Sequence, residues 1–252
     1  MLKFRILVIA YCIFLILSLV FVFEFFQLLI LLSVSTIVFI CTIIWGVYNI
    51  QSQMFLKTYN SNHDIEDKIA ITFDDGPHKK NTPKLLDLLK KHKAKASFFL
   101  IGSNISENKK IAEKIFADGH LIGNHSYFHS KLFPLKLPNR IRKELEKAQE
   151  EIRKTTFQEN QYFRPPYGVT NPFVAKGILR FNFKVIGWSI RSFDTTNKSK
   201  ESILKRITKN LKGGDIILLH DRTVHVCWLT EGILKYLKKN KLKAVTVDEL
   251  FS

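Results

Sequence analysis

The first fifty residues of the 252-residue chain constrain its fold most, because they contain two long apolar runs. Residues 6–23 form one unbroken run, and residues 25–50 form another that is interrupted only by isolated polar or small residues. Each run is long enough to cross a bilayer of roughly 30 Å as a helix, which takes about 20 residues. Residues 1–50 are therefore predicted to form a transmembrane helical hairpin.

A cleavable secretory signal is the alternative for the first run, since Lys3 and Arg5 precede it. No small-residue cleavage site follows, however, and a second apolar run does. Two spans leave both chain ends on one side of the membrane, and Lys3, Arg5 and Lys57 flank the pair while Glu24 is the only charge between the runs. The positive-inside rule then favours cytoplasmic ends. We expect a multi-pass protein of the cell membrane.

Charge separates the membrane segment from the rest of the chain. Residues 51–67 are polar and mixed in charge and are predicted to be a linker, which leaves residues 68–252 as one domain. Nearly all of the net charge of +17 lies outside the first fifty residues. Beside a membrane anchor, this excess favours contact with anionic headgroups or an anionic glycan, although Lys-rich helix faces explain it equally well. Nucleic acid is not an expected partner, since no recognised module is present.

Strands and helices alternate through the predicted domain. Apolar or β-branched runs predict seven strands, at residues 69–73, 97–101, 121–123, 162–164, 184–188, 215–219 and 244–247. Helices are predicted from residue 81, from residue 106, and over residues 139–155, 171–180, 199–211 and 224–240. Such alternation is typical of an α/β fold with a parallel sheet, either open or closed into a barrel, and seven repeats favour a barrel.

Polar motifs follow the ends of five predicted strands. They are Asp74 and Asp75, Asn124 and His125, Arg164, Trp188 with Ser189, and His220. In a βα barrel the carboxyl ends of the strands converge on one face, where the active site lies. We therefore expect these side chains to form one site.

A pair of histidines and a pair of carboxylates indicate a metal. His125 and His129 are four residues apart, which on a helical turn places both rings on one side. With one carboxylate they make a set that suits zinc or another divalent first-row metal and leaves positions open for water and substrate. A histidine pair at this spacing is more often a packing feature, and it is the adjacent Asp74 and Asp75 that favour a metal site.

Hydrolysis at such a metal needs only a base and an acid besides the ion. One of Asp74 and Asp75 would bind the ion, and the other, paired with Arg164, would act as base. His220 would supply the acid, since its ordinary pKa of about 6.5 lets a neighbouring carboxylate keep it protonated.

Two further features indicate how a substrate is held. The prolines after Arg164 stiffen the segment that leads to Tyr167, whose backbone N–H is then a candidate for stabilising an oxyanion. Trp188 and Leu218 are candidates for the walls of an apolar pocket of acetyl size, and each is as readily a plain core residue. Asp194 is predicted to lie at the same substrate pocket.

Three motifs in register carry a family resemblance. Thr-Phe-Asp-Asp-Gly-Pro at 72–77, His-Ser-x-x-His at 125–129 and Arg-Pro-Pro-Tyr at 164–167 are all present in order. Over roughly residues 68–250, the chain resembles the polysaccharide deacetylases of the NodB-homology type, carbohydrate esterase family 4. The resemblance implies a distorted seven-stranded βα barrel, so the expected architecture is a (β/α)7 barrel preceded by two transmembrane helices.

The resemblance also implies a role for each site residue. A divalent metal, expected to be Zn²⁺, would be held by Asp75, His125 and His129. Asp74 would be the general base, oriented by Arg164, and His220 would be the general acid. The family acts on N-acetylated sugars of chitin, peptidoglycan or surface glycans, and some members act on O-acetyl groups or lipid-linked amino sugars.

The fourth motif departs from the family pattern. Many members have Asp-x-x-Asp-Trp where this chain has Arg191, Asp194 and Thr195 at the three defined positions. In the family pattern the first acid helps to tune the catalytic histidine. Here that acid is Arg191, so Asp194 or Asp221 is the candidate for keeping His220 protonated.

The expected function is metal-dependent removal of acetyl groups from an N-acetylated polysaccharide or glycolipid at the membrane. The same site also permits hydrolysis of O-acetyl esters. A third possibility is a barrel that only binds glycan or anionic lipid, which the altered fourth motif favours and the intact Asp74 and His220 oppose. No protein partner is inferred. Family habit suggests a domain outside the cytoplasm, against the flanking charges, so the side of the membrane stays open.

Overall fold

The computed structural model describes residues 1–22 and 24–252, and its first two elements are long apolar helices. Helix α1 spans Leu2–Phe21 and helix α2 spans Phe25–Tyr48. They pack side by side, with the Tyr11 ring stacked on Phe39 at a centroid distance of 4.2 Å and its hydroxyl bonded to Thr36 Oγ1 at 2.6 Å. Both helices are long and apolar enough to cross a membrane. The last residue of the first predicted run, Phe23, lies outside the described residues.

The rest of the chain alternates strands and helices. The strands are β1 (Lys68–Gly76), β2 (Ser97–Leu100), β3 (Leu121–Asn124), β4 (Tyr162–Phe163), β5 (Lys184–Val185), β6 (Ile190–Arg191), β7 (Ile216–His220) and β8 (Lys243–Val245). The helices are α3 (Asn81–Lys91), α4 (Gly102–Glu107), α5 (Lys109–Ala117), α6 (Pro138–Thr156), α7 (Pro172–Gly177), α8 (Lys200–Thr208), α9 (Val226–Lys239) and α10 (Val247–Leu250).

The strands form one parallel sheet that curls into a distorted βα barrel, as predicted from the sequence. Its order is β5-β4-β3-β2-β1-β7-β6, and β8 pairs with the first residues of β1. Strand β1 is central, since Phe73 pairs with Phe98 of β2 on one side and with Leu219 of β7 on the other. The barrel is open, because no ladder joins β5 to β6 within the described residues.

Apolar side chains fill both sides of the sheet, as expected for parallel strands covered by helices. Outside the barrel, Phe73 stacks on Phe98 at 5.0 Å between the sheet and the helices. Inside it, Phe99, Trp188 and Leu218 belong to one buried cluster. This packing fixes the carboxyl ends of the strands relative to one another.

Two details differ from the prediction. Strand β6 is an eighth strand that the sequence pattern does not reveal, because its two residues, one of them the exposed Arg191, do not belong to an apolar run. The helix expected to begin at Ser106 is instead two helices, α4 and α5, which are separated at Asn108 with φ −131°.

The segment 51–67, predicted as a linker, packs against the barrel. Met54 and Phe55 are buried. Tyr59 forms a β-bridge with Ile186, and Ser61 forms one with Asp215, so the segment touches both sides of the gap in the sheet. It is therefore part of the barrel wall as well as the connection to the hairpin.

Candidate active site

A β-bulge turns two neighbouring carboxylates toward one site. Successive side chains of a regular strand point to opposite faces. In β1, however, Asp74 pairs with Phe99 and Gly76 with Leu100, which leaves Asp75 as the extra residue. Asp75 has φ 73°, and Asn104 Nδ2 donates to its carbonyl at 2.8 Å. Both carboxylates therefore approach the same ring nitrogen, His125 Nε2, at 3.7 Å for Asp74 Oδ2 and 3.6 Å for Asp75 Oδ1.

The two histidines lie in an irregular loop that brings their rings together. The prediction of a helical turn from their spacing is wrong. Residues 125–132 follow β3 without helical structure, and Ser126 and His129 have φ 65° and 49°. Side chains hold this shape: Ser126 N–H donates to Asn124 Oδ1 at 2.9 Å, and His129 N–H donates to Ser126 Oγ at 3.0 Å. The ring centroids of His125 and His129 lie 4.7 Å apart. Positive φ at such residues is costly and is typical of functional sites.

Asp75, His125 and His129 together fit a metal ion. One donor atom of each lies within 4.8 Å of the others. Asp75 Oδ1 is buried and has no hydrogen-bond partner in the part of the chain that the structure describes, although it faces His129 Nε2 at 3.4 Å. A buried carboxylate oxygen without a partner is costly, and a cation between these donors would satisfy it.

The protonation states of the histidines suit the same purpose. His125 Nδ1 lies 2.8 Å from the Arg164 carbonyl, which accepts only, so Nδ1 donates to that carbonyl and Nε2 is the ring nitrogen that faces the site. Burial, and then the neighbouring His125, lower the pKa of His129 to about 4, so its ring is neutral at neutral pH. Burial alone would raise the pKa of Asp75, but His125, His129 and His220 outweigh it and hold that pKa far below its usual range.

Asp74 is paired with a fully buried arginine. Arg164 Nη1 donates to Asp74 Oδ1 at 2.7 Å and to Thr72 Oγ1 at 2.7 Å, while Nε and Nη2 donate to the carbonyls of Ile186 and Gly187. The guanidinium also lies over the Phe99 ring. Every nitrogen of the group is thus engaged, which offsets the cost of burying its charge. The arrangement fixes Asp74 Oδ1 and leaves Oδ2 toward the site.

Asp194 is the carboxylate that faces His220. His220 Nδ1 and the His220 backbone N–H each donate to Asp194 at 2.8 Å, and Ser192 Oγ donates to Asp194 Oδ1. Burial lowers the pKa of His220, but the hydrogen bond and charge of Asp194 more than offset it, so that pKa lies above its ordinary value. The carboxylate of Asp194 is buried and accepts these hydrogen bonds, and its predicted place at the substrate pocket stays a prediction.

The other candidate for tuning His220 does not contact its ring. Thr82 Oγ1 donates to Asp221 Oδ2 at 2.5 Å, and the His78 N–H donates to the same oxygen at 3.3 Å. Burial raises the pKa of Asp221 to about 7. Arg191, which stands where the family has an acid, is exposed, and its guanidinium lies 4.9 Å from the centre of the Phe193 ring.

The candidate substrate residues lie around this centre. The Tyr167 ring packs on His129 at 4.6 Å, and its hydroxyl donates to the His129 carbonyl at 3.2 Å. Trp188 and Leu218 are packed in the barrel interior, where the indole leaves no room for a Cβ at Gly168. The structure therefore brings Tyr167 to the metal-ligand candidates, while the acetyl pocket between Trp188 and Leu218 stays a prediction.

Sequence reasoning missed one residue of the site. Arg222 Nε donates to Asp75 Oδ2 at 2.6 Å, and more than half of the Arg222 side chain is exposed. It thereby fixes the carboxylate oxygen that does not face the histidines. Its position two residues after His220 is the only signal in the sequence, and a single arginine in a basic chain does not stand out.

Comparisons with known proteins identify the family to which this arrangement is similar. A family model for polysaccharide deacetylases matches residues 61–186. A peptidoglycan-N-acetylglucosamine deacetylase of Bacillus cereus is 40% identical over 194 residues, which cover 72% of this chain and 87% of the relative. The peptidoglycan-N-acetylmuramic acid deacetylase PdaA of Bacillus subtilis is 33% identical and covers 73% of this chain and 72% of its own length.

A solved structure agrees with the sequence comparisons. The peptidoglycan deacetylase PdaC of Bacillus subtilis superposes with a TM-score of 0.69 at 30% identity, over 74% of this chain and 90% of that structure. The family model covers Asp74, Asp75, His125, His129 and Arg164, and the superposed structure extends over about three quarters of the chain.

Proposed function

The chain belongs to the polysaccharide deacetylase family, and on this premise we propose that it is a metal-dependent hydrolase. The enzyme would remove acetyl groups from N-acetylated sugars of a polysaccharide or lipid-linked glycan at the membrane. The proposal rests on Asp75 Oδ1, a buried oxygen between His125 and His129 that has no hydrogen-bond partner among the described residues. The Asp74–Arg164 pair lies beside it. A structural ion pair alone needs no such unpartnered oxygen.

The proposal assigns a task to each part of the chain. Residues 1–50 span the membrane as a hairpin, residues 51–67 connect it to the barrel and complete the wall, and residues 68–252 form the deacetylase domain. The length and apolar character of α1 and α2 support the first assignment. The bridges of Tyr59 and Ser61 support the second.

Asp75, His125 and His129 would hold the metal. Two imidazole nitrogens and one carboxylate oxygen suit zinc and leave positions free for substrate and water. When bound, such an ion polarises the acetyl carbonyl and lowers the pKa of a water molecule. Arg222 holds the second oxygen of Asp75 and so keeps the first directed at the histidines.

Asp74 and His220 would move the protons. Asp74 Oδ2, left free by the bond from Arg164 to Oδ1, accepts a proton from the attacking water as its oxygen bonds to the acetyl carbon. The carbon–nitrogen bond then breaks, and protonated His220 donates its proton to the departing sugar amine, so acetate and the free amine result. The raised pKa of His220, which burial opposes and Asp194 causes, keeps that proton available to a higher pH than an ordinary histidine would.

Tyr167, Trp188 and Leu218 would position the acetyl group. The Tyr167 backbone, with φ 61°, lies beside His129, where its N–H would stabilise the developing oxyanion. Trp188 and Leu218 would line the methyl side. These roles follow from position in the site and from the matching motifs.

The test is acetate release by the full-length protein from N-acetylated chito-oligosaccharides, peptidoglycan and lipid-linked N-acetylated sugars. Asp74→Asn keeps the shape of the side chain but removes the base, so we expect kcat to fall by about 10²- to 10⁴-fold. His220→Asn should have a similar effect. It serves as a second variant because Asp74→Asn leaves the buried Arg164 without its counter-charge.

Asp87→Asn, an exposed carboxylate on α3, is the matched control and should leave the rate unchanged. Full activity of folded Asp74→Asn would contradict the assignment of the base. O-acetylated sugars are assayed in parallel, and if they alone are hydrolysed, the enzyme is an esterase. If the wild-type chain releases acetate from none of these substrates, the barrel only binds.

A further inference from the structure

The second membrane helix is joined directly to the loops of the candidate active site. The Val47 carbonyl of α2 accepts a hydrogen bond from the Thr170 N–H at 3.1 Å, and Gln51 Nε2 donates to the Trp188 carbonyl at 2.7 Å. Ile50 is buried in the same interior cluster as Trp188. Thr170 is only three residues beyond Tyr167, whose ring packs on His129. The metal-ligand candidates are therefore close to the end of the hairpin.

The end of the hairpin marks the depth of the lipid–water interface. Helix α2 has 24 residues, and a helix of that length spans about 36 Å, slightly more than the roughly 30 Å of a bilayer core. Trp45 and Tyr48, in its last turn, are exposed aromatic residues of the kind that favour the interface. Val47 lies between them. Because Val47 contacts Thr170, the loop that carries Tyr167 is at interface depth.

Exposed apolar side chains lie on the segments next to this junction. Leu132 and Leu135 are 65% and 69% exposed in the loop that follows His129, and Phe173 at the start of α7 is 42% exposed. Asn171 Nδ2 donates to the Pro134 carbonyl at 2.6 Å, which ties this loop to the residue after Thr170. Apolar side chains grouped in this way are unusual on a surface that faces only water.

Basic residues alternate with these apolar ones. Lys131 precedes Leu132 in the loop, and Lys176 lies one turn after Phe173 on α7, and both lysines are exposed. Such side chains place their ammonium groups among anionic headgroups while their stems lie along apolar surface. The interleaved pattern matches a lipid surface better than a protein partner, and it continues the interface that the hairpin already makes.

We propose that Leu132, Leu135 and Phe173 form a docking surface that inserts into the lipid–water interface beside the hairpin. The partner is the bilayer itself, with anionic headgroups around Lys131 and Lys176. The opening of the active site is thereby held against the membrane surface, and acetylated sugars reach it from the headgroup layer.

The test measures the depth of single fluorescent probes on the full-length chain in vesicles of phosphatidylcholine and phosphatidylglycerol. The free cysteines Cys12, Cys41 and Cys227 are first replaced by Ala. A polarity-sensitive fluorophore is then attached at Leu135→Cys or, as a second site, Leu132→Cys. Part of the lipid carries a nitroxide near its headgroup, which quenches only probes at interface depth.

Phe157→Cys is the matched control. Phe157 is apolar and 88% exposed, but it follows the last residue of α6, whose 19 residues span about 28 Å, whereas Leu135 precedes the first residue of that helix. We expect the Leu135 and Leu132 probes to be quenched about twofold or more over the Phe157 probe, with blue-shifted emission, because inserted side chains lie about 5–10 Å into the interface. Quenching of both probes no greater than that at Phe157 would overturn the proposal. The measurement needs no substrate, so its failure would leave the deacetylase proposal untouched.

Discussion

At the residue scale, the Asp194–His220 pair controls the proton that the proposed mechanism delivers to the leaving amine. In the fourth motif Arg191 replaces the first acid, yet the second acid, Asp194, makes two hydrogen bonds to His220. The loss of the first acid therefore does not remove a carboxylate from the histidine. This geometry makes the altered motif a weaker argument for a barrel without catalysis.

The alkaline limb of the pH profile of kcat/KM should follow the deprotonation of His220. The pKa of His220 is raised above its ordinary value, so the acid is protonated below that pKa and activity is lost as the pH rises through it. Asp194→Asn removes the charge that raises this pKa, so the alkaline limb should move to lower pH. Ser192→Ala removes one hydrogen bond to Asp194 but keeps its charge, and should leave the limb almost in place. An unmoved limb in Asp194→Asn would mean that His220 is not the titrating acid.

Residue types and the order of the motifs predict much of the candidate site. Asp74, Asp75, His125, His129, Arg164 and His220 were all expected at one end of the barrel, and the structure brings them together. The sequence does not predict how these side chains are brought together, because the bulge at Asp75 and the positive φ of His129 depend on tertiary contacts. Arg222 was missed for the same reason, since its partner lies 147 residues away in the chain.

At the element scale, the segment after α2 completes the barrel. Strands β5 and β6 leave a gap, and Tyr59 and Ser61 bridge to residues on either side of it. Ile50, just before this segment, belongs to the interior cluster and is almost fully buried. The connection between α2 and the barrel is therefore packed, and its side chains contribute to the stability of the domain.

A pair of isoleucine variants tests this role. Ile50→Ala removes a buried side chain and should lower the free energy of unfolding by about 2–5 kcal/mol. Ile44→Ala, on the exposed face of α2, should change it by no more than about 0.5 kcal/mol. Urea unfolding in mild detergent micelles, followed by near-ultraviolet circular dichroism, measures both. Equal, small effects would show that residues 50–62 are only a tether.

Strands that lie in an apolar run are predictable from the sequence, whatever their length, and β6 is not. The seven expected strands are all present, because each buried run carries its own apolar signal. Strand β6 has two residues, one of them the exposed Arg191, and is formed only by pairing with β7. The polar composition of residues 51–67 indicated a linker, but the burial of Met54 and Phe55 depends on a gap that no local pattern reveals.

At the scale of the whole molecule, the side of the membrane decides which sugars the enzyme meets. Both ends of the hairpin lie together, since the Met1 amino group donates to the Phe55 carbonyl at 2.8 Å and Lys3 Nζ donates to the Ser52 carbonyl. In the proposed membrane arrangement, Lys3 and Arg5 therefore lie at the same membrane surface as the barrel. A domain inside would meet only lipid-linked sugars, whereas one outside would also meet peptidoglycan.

Reporter fusions after Ser252 test this orientation. The positive-inside rule predicts a cytoplasmic domain, so a green fluorescent protein fusion should fluoresce and an alkaline phosphatase fusion should be inactive. Replacing Lys3 and Arg5 by Gln is the informative control, because it should weaken the preference. An active alkaline phosphatase fusion would show that the flanking charges do not set the orientation and that mature peptidoglycan is within reach.

The most direct test of the whole account is a metal titration of the chelator-treated, full-length protein with acetate release as the readout. We predict that the stripped protein releases no acetate, that about one equivalent of Zn²⁺ restores turnover, and that Asp75→Asn neither binds the ion nor recovers. Arg153→Met, which breaks an exposed arginine–carboxylate pair far from the site, should behave as wild type. Sustained acetate release by protein free of divalent metal would contradict the account.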